Sequence, residues 1–156
     1  MANFQLYCFA QSGNAYRAAL MLNLIGADWE PIWVDFFVGG VTRKPEYREE
    51  VNEMGEVPVL VHGKRKLTQS GVILTYLSDL TGKFKPESDE ERLEALRWII
   101  FDNQKVNGFL APFRFLRTLA KPNRPEFLRL ELEEQVMQPR RQRQARPSPQ
   151  SAGGVA

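Results

Sequence analysis

The chain has 156 residues, 43% of them hydrophobic and 26% charged, which places it among ordinary globular sequences and excludes collagen-like, low-complexity and wholly disordered classes. No apolar run approaches the roughly 18 residues that suggest a bilayer span, and the opening MANFQLYCFAQSG has no basic region followed by a long apolar stretch. The expectation is a cytoplasmic, soluble protein with no membrane partner.

One cysteine, Cys8, cannot form an internal disulfide, and one histidine, His62, cannot supply a His-rich metal site, so no metal is expected. The net charge of +2 is uneven. Arg140, Arg141, Arg143 and Arg146 stand after Met137 with no acid among them, which leaves 17 basic and 19 acidic residues in the preceding chain. The basic isoelectric point belongs to the tail, and without a clustered basic surface on the fold no nucleic-acid partner is expected. The tail QPRRQRQARPSPQSAGGVA is too polar to offset its ordering entropy by burial, so residues 138–156 are expected to be disordered.

From Phe4, FQLYCF reads as a strand ended by the Gln-Ser-Gly-Asn cluster at 11–14. Ala15, Ala18, Ala19 and Leu22 then fall at i, i+3, i+4 and i+7, the inner stripe of a helix ending near Gly26. WEPIWVDFF reads as a second strand, parallel to the first through a right-handed crossover, with Pro31 favouring its start or a sheet edge.

Gly39-Gly40 opens a loop, and RKPEYREEV carries a short polar helix before Asn52-Glu53-Met54-Gly55 turns the chain. Val57–Val61 is a strand, His62-Gly63-Lys64 a hairpin turn, and Arg65–Thr68 an antiparallel return. Ile73, Tyr76, Leu77 and Leu80 recur at helical spacing until Gly82. The order is β-α-β-α-β-β-α.

From Pro86 the pattern becomes all helix. ESDEE suits a helix N-terminus, and Leu96, Trp98, Ile99 and Ile100 make more apolar surface than one helix covers. Pro112 is expected to kink or break the run Phe109–Leu119, and a last helix is expected from Pro125. The domain organisation read from these features is residues 1–82, an all-helical stretch over 87–137, and the tail.

Several positions offer chemistry. Ser12, between the first strand and the first helix, reads as an N-cap, and the same place lets its hydroxyl donate to a ligand at the end of an open α/β sheet. It has no Ser/His/Asp arrangement to make it a nucleophile, because His62 falls in the hairpin turn. Val57-Pro58 reads either as an edge-strand proline or as a cis bond that leaves a backbone edge open to an extended peptide. Ser70 reads as the N-cap of the third helix, a role compatible with the remaining N–H groups receiving a carboxylate. Cys8, mid-strand and without a CxxC partner, reads as a small buried hydrophobe, with disulfide exchange as its rival reading.

Ser12-Gly13-Asn14-Ala15-Tyr16-Arg17, Gly55-Glu56-Val57-Pro58-Val59-Leu60 and Gln69-Ser70, in this order within one β-α-β-α-β-β-α unit, resemble the glutathione-binding domain of the cytosolic glutathione transferases. Ser12 with Arg17 five residues later is similar to the serine-type zeta and theta classes. The resemblance implies an α/β thioredoxin-like N-terminal domain followed by an all-α partial domain. It further implies that Ser12 donates to the glutathione sulfur, that Val57, held by cis-Pro58, pairs its backbone with the cysteinyl part, and that Gln69 and Ser70 hold the γ-glutamyl carboxylate. Lys44 is implied as a glycyl-carboxylate contact, and Asn14 as an alternative sulfur ligand, since a carboxamide N–H also donates. The implied reaction is attack of the glutathione thiolate on a small hydrophobic electrophile, with glutathione as substrate and a homodimer as a further association.

The sequence departs from the family in two places. Asn52-Glu53-Met54 stands where a proline commonly accompanies the Gly55 turn, and the family normally runs past 200 residues. The second departure leads to the expectation of a truncated or frame-shifted form. It also sustains an alternative reading, a non-catalytic interaction or dimerisation module presenting Trp98, Phe101, Phe109, Phe113 and Phe115 as an apolar patch.

Overall fold

The computed structural model describes residues 3–119. The final helix expected from Pro125 and the tail over 138–156 lie outside the described residues. Two compact units divide at Ile99 and Ile100.

The first unit opens with β1 (Phe4–Cys8), α1 (Gly13–Ile25) and β2 (Trp29–Trp33), continues through a 3-10 turn (Val41–Arg43) and α2 (Pro45–Glu50), and closes its sheet with β3 (Val59–His62) and β4 (Arg65–Thr68). Helix α3 (Ser70–Thr81) follows, and α4 (Asp89–Phe101) begins. The four strands lie in the order β2-β1-β3-β4. Strand β2 is parallel to β1, with Phe4 opposite Trp29, while β3 is antiparallel to both β1 and β4. This is the thioredoxin-like arrangement expected, and Pro31 sits on the edge strand, where its missing N–H costs no ladder bond.

The alternation of β1 explains its core. Phe4 and Leu6 are buried in one cluster with Ala18, Leu22 and Ile25 of α1, Leu60 of β3, and Ile73 and Leu77 of α3. Tyr7, one residue out of phase, meets Tyr47 of α2 edge to face at 6.5 Å. The sheet is thus covered by α1 and α3 through one set of side chains and contacts α2 through the other. Gly26 ends α1 at φ 71° and Gly82 ends α3 at φ 70°, the left-handed closure that glycine adopts without Cβ strain.

Besides the start of β3, at Val59 instead of Val57, three features differ from the sequence expectation. Strand β2 stops at Trp33 instead of running to Phe37, because Phe36 and Phe37 turn to pack on Phe9, with ring centroids 4.6 and 5.3 Å away. His62 is the last residue of β3, opposite Arg65, instead of part of the turn. Its Nδ1 lies 2.7 Å from the Tyr76 hydroxyl, and its ring packs 4.4 Å from Phe4.

The third difference is at Pro112. The second unit, taken by itself, contains a π-helical stretch (Asp102–Asn107), α5 (Gly108–Arg114) and a second π-helical stretch (Phe115–Leu119), and Pro112 lies inside α5 without breaking it. Proline supplies no N–H for a helical bond at this position, and the helix changes to π geometry on either side of α5. Phe101 is exposed, whereas Phe109, Phe113 and Phe115 are partly covered. On α4, Leu96 and Trp98 are exposed.

The turn before β3 shows what replaces the proline absent from it. Asn52 is buried, its Nδ2 donates to the Glu56 carbonyl at 3.0 Å, and its Oδ1 accepts from Met54 N at 3.1 Å. Tyr47 Oη donates to the same Glu56 carbonyl at 3.0 Å. Burial, with Tyr7 adding to it, pushes the Tyr47 phenol up to about 12, so it stays protonated as a donor. Gly55 turns at φ 68°, and a Cβ there would come within 2.5 Å of the Thr42 carbonyl oxygen.

This gives a paired prediction. Gly63, at φ 59° in the hairpin, has nothing within 4 Å of its Cβ position. Gly63→Ala should therefore cost only the left-handed strain of about 1 kcal/mol, whereas Gly55→Ala adds a clash with backbone and should cost about 3 kcal/mol. Urea titration of both variants checks this; equal losses would mean that the Thr42 approach is unimportant.

Candidate functional site

The strand directions decide where the candidate residues meet. Because β3 is antiparallel to β1 and β4 antiparallel to β3, β4 runs the same way as β1. The carboxyl ends of β1 and β4, the helix starts that follow them, and the beginning of β3, where Val59 faces Tyr7, therefore share one end of the sheet. Ser12, Val57-Pro58 and Gln69-Ser70 all belong to that end, the usual location of ligand sites in open α/β sheets.

At α1, Ser12 has extended backbone (φ −80°, ψ 110°), and its Oγ accepts from Ala15 N at 3.1 Å. The capping reading is realised, and it uses only a lone pair. The hydroxyl proton is not consumed by that bond, so a capping serine can also donate to a ligand at the positive end of the helix. Ser12 N is held by the Phe9 carbonyl at 3.0 Å, which ties the cap to the Phe9, Phe36 and Phe37 ring cluster.

At α3 the expectation for Ser70 needs correction. The cap position is Gln69, which takes φ 64° and ψ 115° and makes no side-chain cap bond, while Ser70 is the first residue of the helix. Positive φ at Gln69 turns the chain into α3 one residue earlier than a capping serine would. The Gln69 side chain instead reaches back to the turn, its Nε2 3.4 Å from Glu56 Oε2 and 3.5 Å from Met54 Sδ. Ser70 is buried, and its Oγ accepts from Arg17 Nη2 at 2.9 Å.

Arg17 is the residue whose position the sequence did not reveal. It is on α1, yet it donates both to Asn14 Oδ1 and to Ser70 Oγ, and Ser70 Oγ lies 3.5 Å from Asn14 Oδ1. Burial lowers the pKa of its guanidinium from the ordinary value. The spacing of Asn14 and Arg17, three apart on one helix, was a visible signal for the first contact. The contact to Ser70 crosses 53 residues and is set only by packing of α1 on α3.

The Val57-Pro58 peptide is cis, as the resemblance implies, with Pro58 buried. Lys44 lies exposed between the 3-10 turn and α2, and among the described residues no side-chain bond joins it to Ser12, Gln69 or Ser70. Cys8 is half-buried, and burial pushes its thiol pKa up, the opposite of what thiol exchange needs. Among the described residues no group of three or more His, Cys, Asp or Glu could hold a metal ion, and no helix is long and apolar enough to cross a membrane. A separate cleft of about 700 Å³, lined by Met21, Leu74, Ser78, Phe84, Leu96 and Ile99 among others, shares no residue with this set.

Comparison with known proteins agrees with the geometry. Residues 2–79 match the family described as glutathione S-transferase, N-terminal domain. Glutathione S-transferase 1 of Dianthus caryophyllus is 41% identical over 75 residues, which are 48% of this chain and 33% of that protein. The matched stretch thus spans about a third of that relative's length. A crystal structure of a glutathione S-transferase from Pseudomonas fluorescens superposes with a TM-score of 0.71 at 29% identity, over 93% of this chain and 73% of that one. A glutathione transferase from Burkholderia graminis, solved with two glutathione molecules bound per subunit, shares the fold with a TM-score of 0.69 at 24% identity, over 91% of this chain and 62% of that one. By its N-terminal half, its strand order and its neighbours in structure, the chain belongs to the glutathione S-transferase family.

Proposed function

We propose that the sheet end carrying Ser12, Val57 and Ser70 binds glutathione and presents its sulfur as a thiolate to a small hydrophobic electrophile. The observation that carries this reading is the geometry of Ser12: its oxygen caps α1 by accepting from Ala15 N, which leaves its proton for a sulfur anion at the positive end of that helix. The tripeptide then lies along the sheet end. The Val57 backbone pairs with the cysteinyl unit, and the γ-glutamyl carboxylate takes Gln69, Ser70 and the uncapped N–H groups of α3. Glu56, beside Gln69, offers an acceptor for the γ-glutamyl ammonium. Lys44 is assigned the glycyl carboxylate, and Asn14 remains the alternative donor to sulfur.

In the reaction the thiol proton leaves to solvent and the thiolate forms a carbon–sulfur bond, the leaving group departing with its electron pair. Ser12 is not consumed. Phe9, Phe36 and Phe37, adjoining the Ser12 turn, supply apolar surface suited to a hydrophobic electrophile. The proposed setting is the cytoplasm, where glutathione is kept reduced, and the proposed assembly is a homodimer that uses exposed apolar residues such as Trp98.

Removal of the Ser12 hydroxyl tests the reading. The bound thiol should titrate below the ordinary 8.5 in the wild type, and Ser12→Ala should raise its pKa by about 1–2 units, the equivalent of one hydrogen bond to a charged group. The thiolate fraction of bound glutathione at neutral pH, read by ultraviolet absorbance, then falls several-fold, by at most about tenfold for each unit of the rise. Loss of the cap costs about 1 kcal/mol of folding stability in addition, measured separately without ligand. An unchanged thiol titration would contradict the role given to Ser12.

A further inference from the structure

The bond from Arg17 to Ser70 serves neither helix on its own. Arginine donates and never accepts, so at 2.9 Å Ser70 Oγ must be the acceptor and the serine proton must point elsewhere. Among the described residues the acceptor near it is Asn14 Oδ1, at 3.5 Å, the outer limit of hydrogen bonding, and that oxygen already accepts from Arg17. A stronger acceptor at the start of α3 would therefore capture the Ser70 proton. A carboxylate is such an acceptor, and the Arg17 charge favours an anion there along with the first turn of a twelve-residue helix that has no side-chain cap.

We propose that Arg17 is a positioning residue that makes the α-carboxylate of the γ-glutamyl unit the recognised feature of the ligand, by fixing Ser70 as a donor through the Arg17–Ser70 bond. The inference rests on the reading that this sheet end binds glutathione, and it deepens that reading: selectivity for the free carboxylate originates on α1, one helix away from the group that touches it. Asn14 Oδ1 accepts from the same guanidinium nitrogen, Nη2, and so helps hold it at the start of α3.

The test compares two ligands on the full chain by calorimetry: glutathione, and the analogue in which 4-aminobutanoate replaces the γ-glutamyl unit and so lacks its α-carboxylate. The wild type should prefer glutathione, and Arg17→Met should weaken glutathione about tenfold while leaving the analogue nearly unchanged. Arg17→Lys, which retains charge and one donor, should recover part of the preference and serves as the measurement if Arg17→Met does not fold. In a Ser70→Ala background, Arg17→Met should cost clearly less than it does in the wild type, because the part that runs through Ser70 is already lost and only the Arg17 charge remains to be removed. Equal weakening of both ligands would mean that Arg17 only ties α1 to α3, and an unchanged preference would mean that it plays no part; either overturns the inference while glutathione binding stands. Failure of the wild type to bind glutathione at all would overturn the reading and the inference together.

Discussion

Everything proposed for this chain depends on α1 and α3 being packed on the same face of a four-stranded sheet. Ala18, Leu22 and Ile25 from one helix and Ile73 and Leu77 from the other bury against Phe4, Leu6 and Leu60, and several of these side chains are fully removed from solvent. Burial of this kind contributes on the order of 2 kcal/mol per large side chain, and it fixes the two helices without regard to any ligand. Because β1 and β4 run in the same direction, it also fixes both helix N-termini at one sheet end. The site is therefore a by-product of core packing, with its polar groups placed by an apolar seam one turn away.

The polar groups then divide the work. The α1 start is capped by Ser12, which keeps a donor in reserve, and the α3 start lacks a side-chain cap and carries Ser70 held by Arg17. Between them, the segment before β3 is anchored at one atom, the Glu56 carbonyl, which accepts from both Tyr47 and Asn52. That anchor places Val57 at the sheet end.

Much of the fold was legible because the period of the apolar residues changes where the elements do. Phe4 and Leu6 alternate, Ala15, Ala18 and Leu22 do not, and the glycines at 26 and 82 end the helices as their chemistry predicts. The site was legible in part. Ser12 as a cap follows from its place before a helical stripe, but Ser70 could not be placed correctly, since nothing about glutamine announces that Gln69 takes φ 64°. At the Gly55 turn, which has no proline, the buried Asn52 performs the fixing, through an Asx-turn bond from Met54 N and a bond to the Glu56 carbonyl. Strand β2 ended early for a related reason, the packing of Phe36 and Phe37 on Phe9. Contacts such as Arg17 to Ser70, separated by 53 residues, exist only once the core has formed.

The central claim is that this sheet end recognises reduced glutathione, and thermal unfolding with and without it is the direct measurement. At ligand about ten times Kd, binding to the folded state alone adds about 1.4 kcal/mol, which raises the midpoint by several degrees in a domain of this size. The account predicts that rise for reduced glutathione and not for an unrelated non-thiol tripeptide. A cooperative transition whose midpoint stays fixed as glutathione is raised into the millimolar range would contradict it.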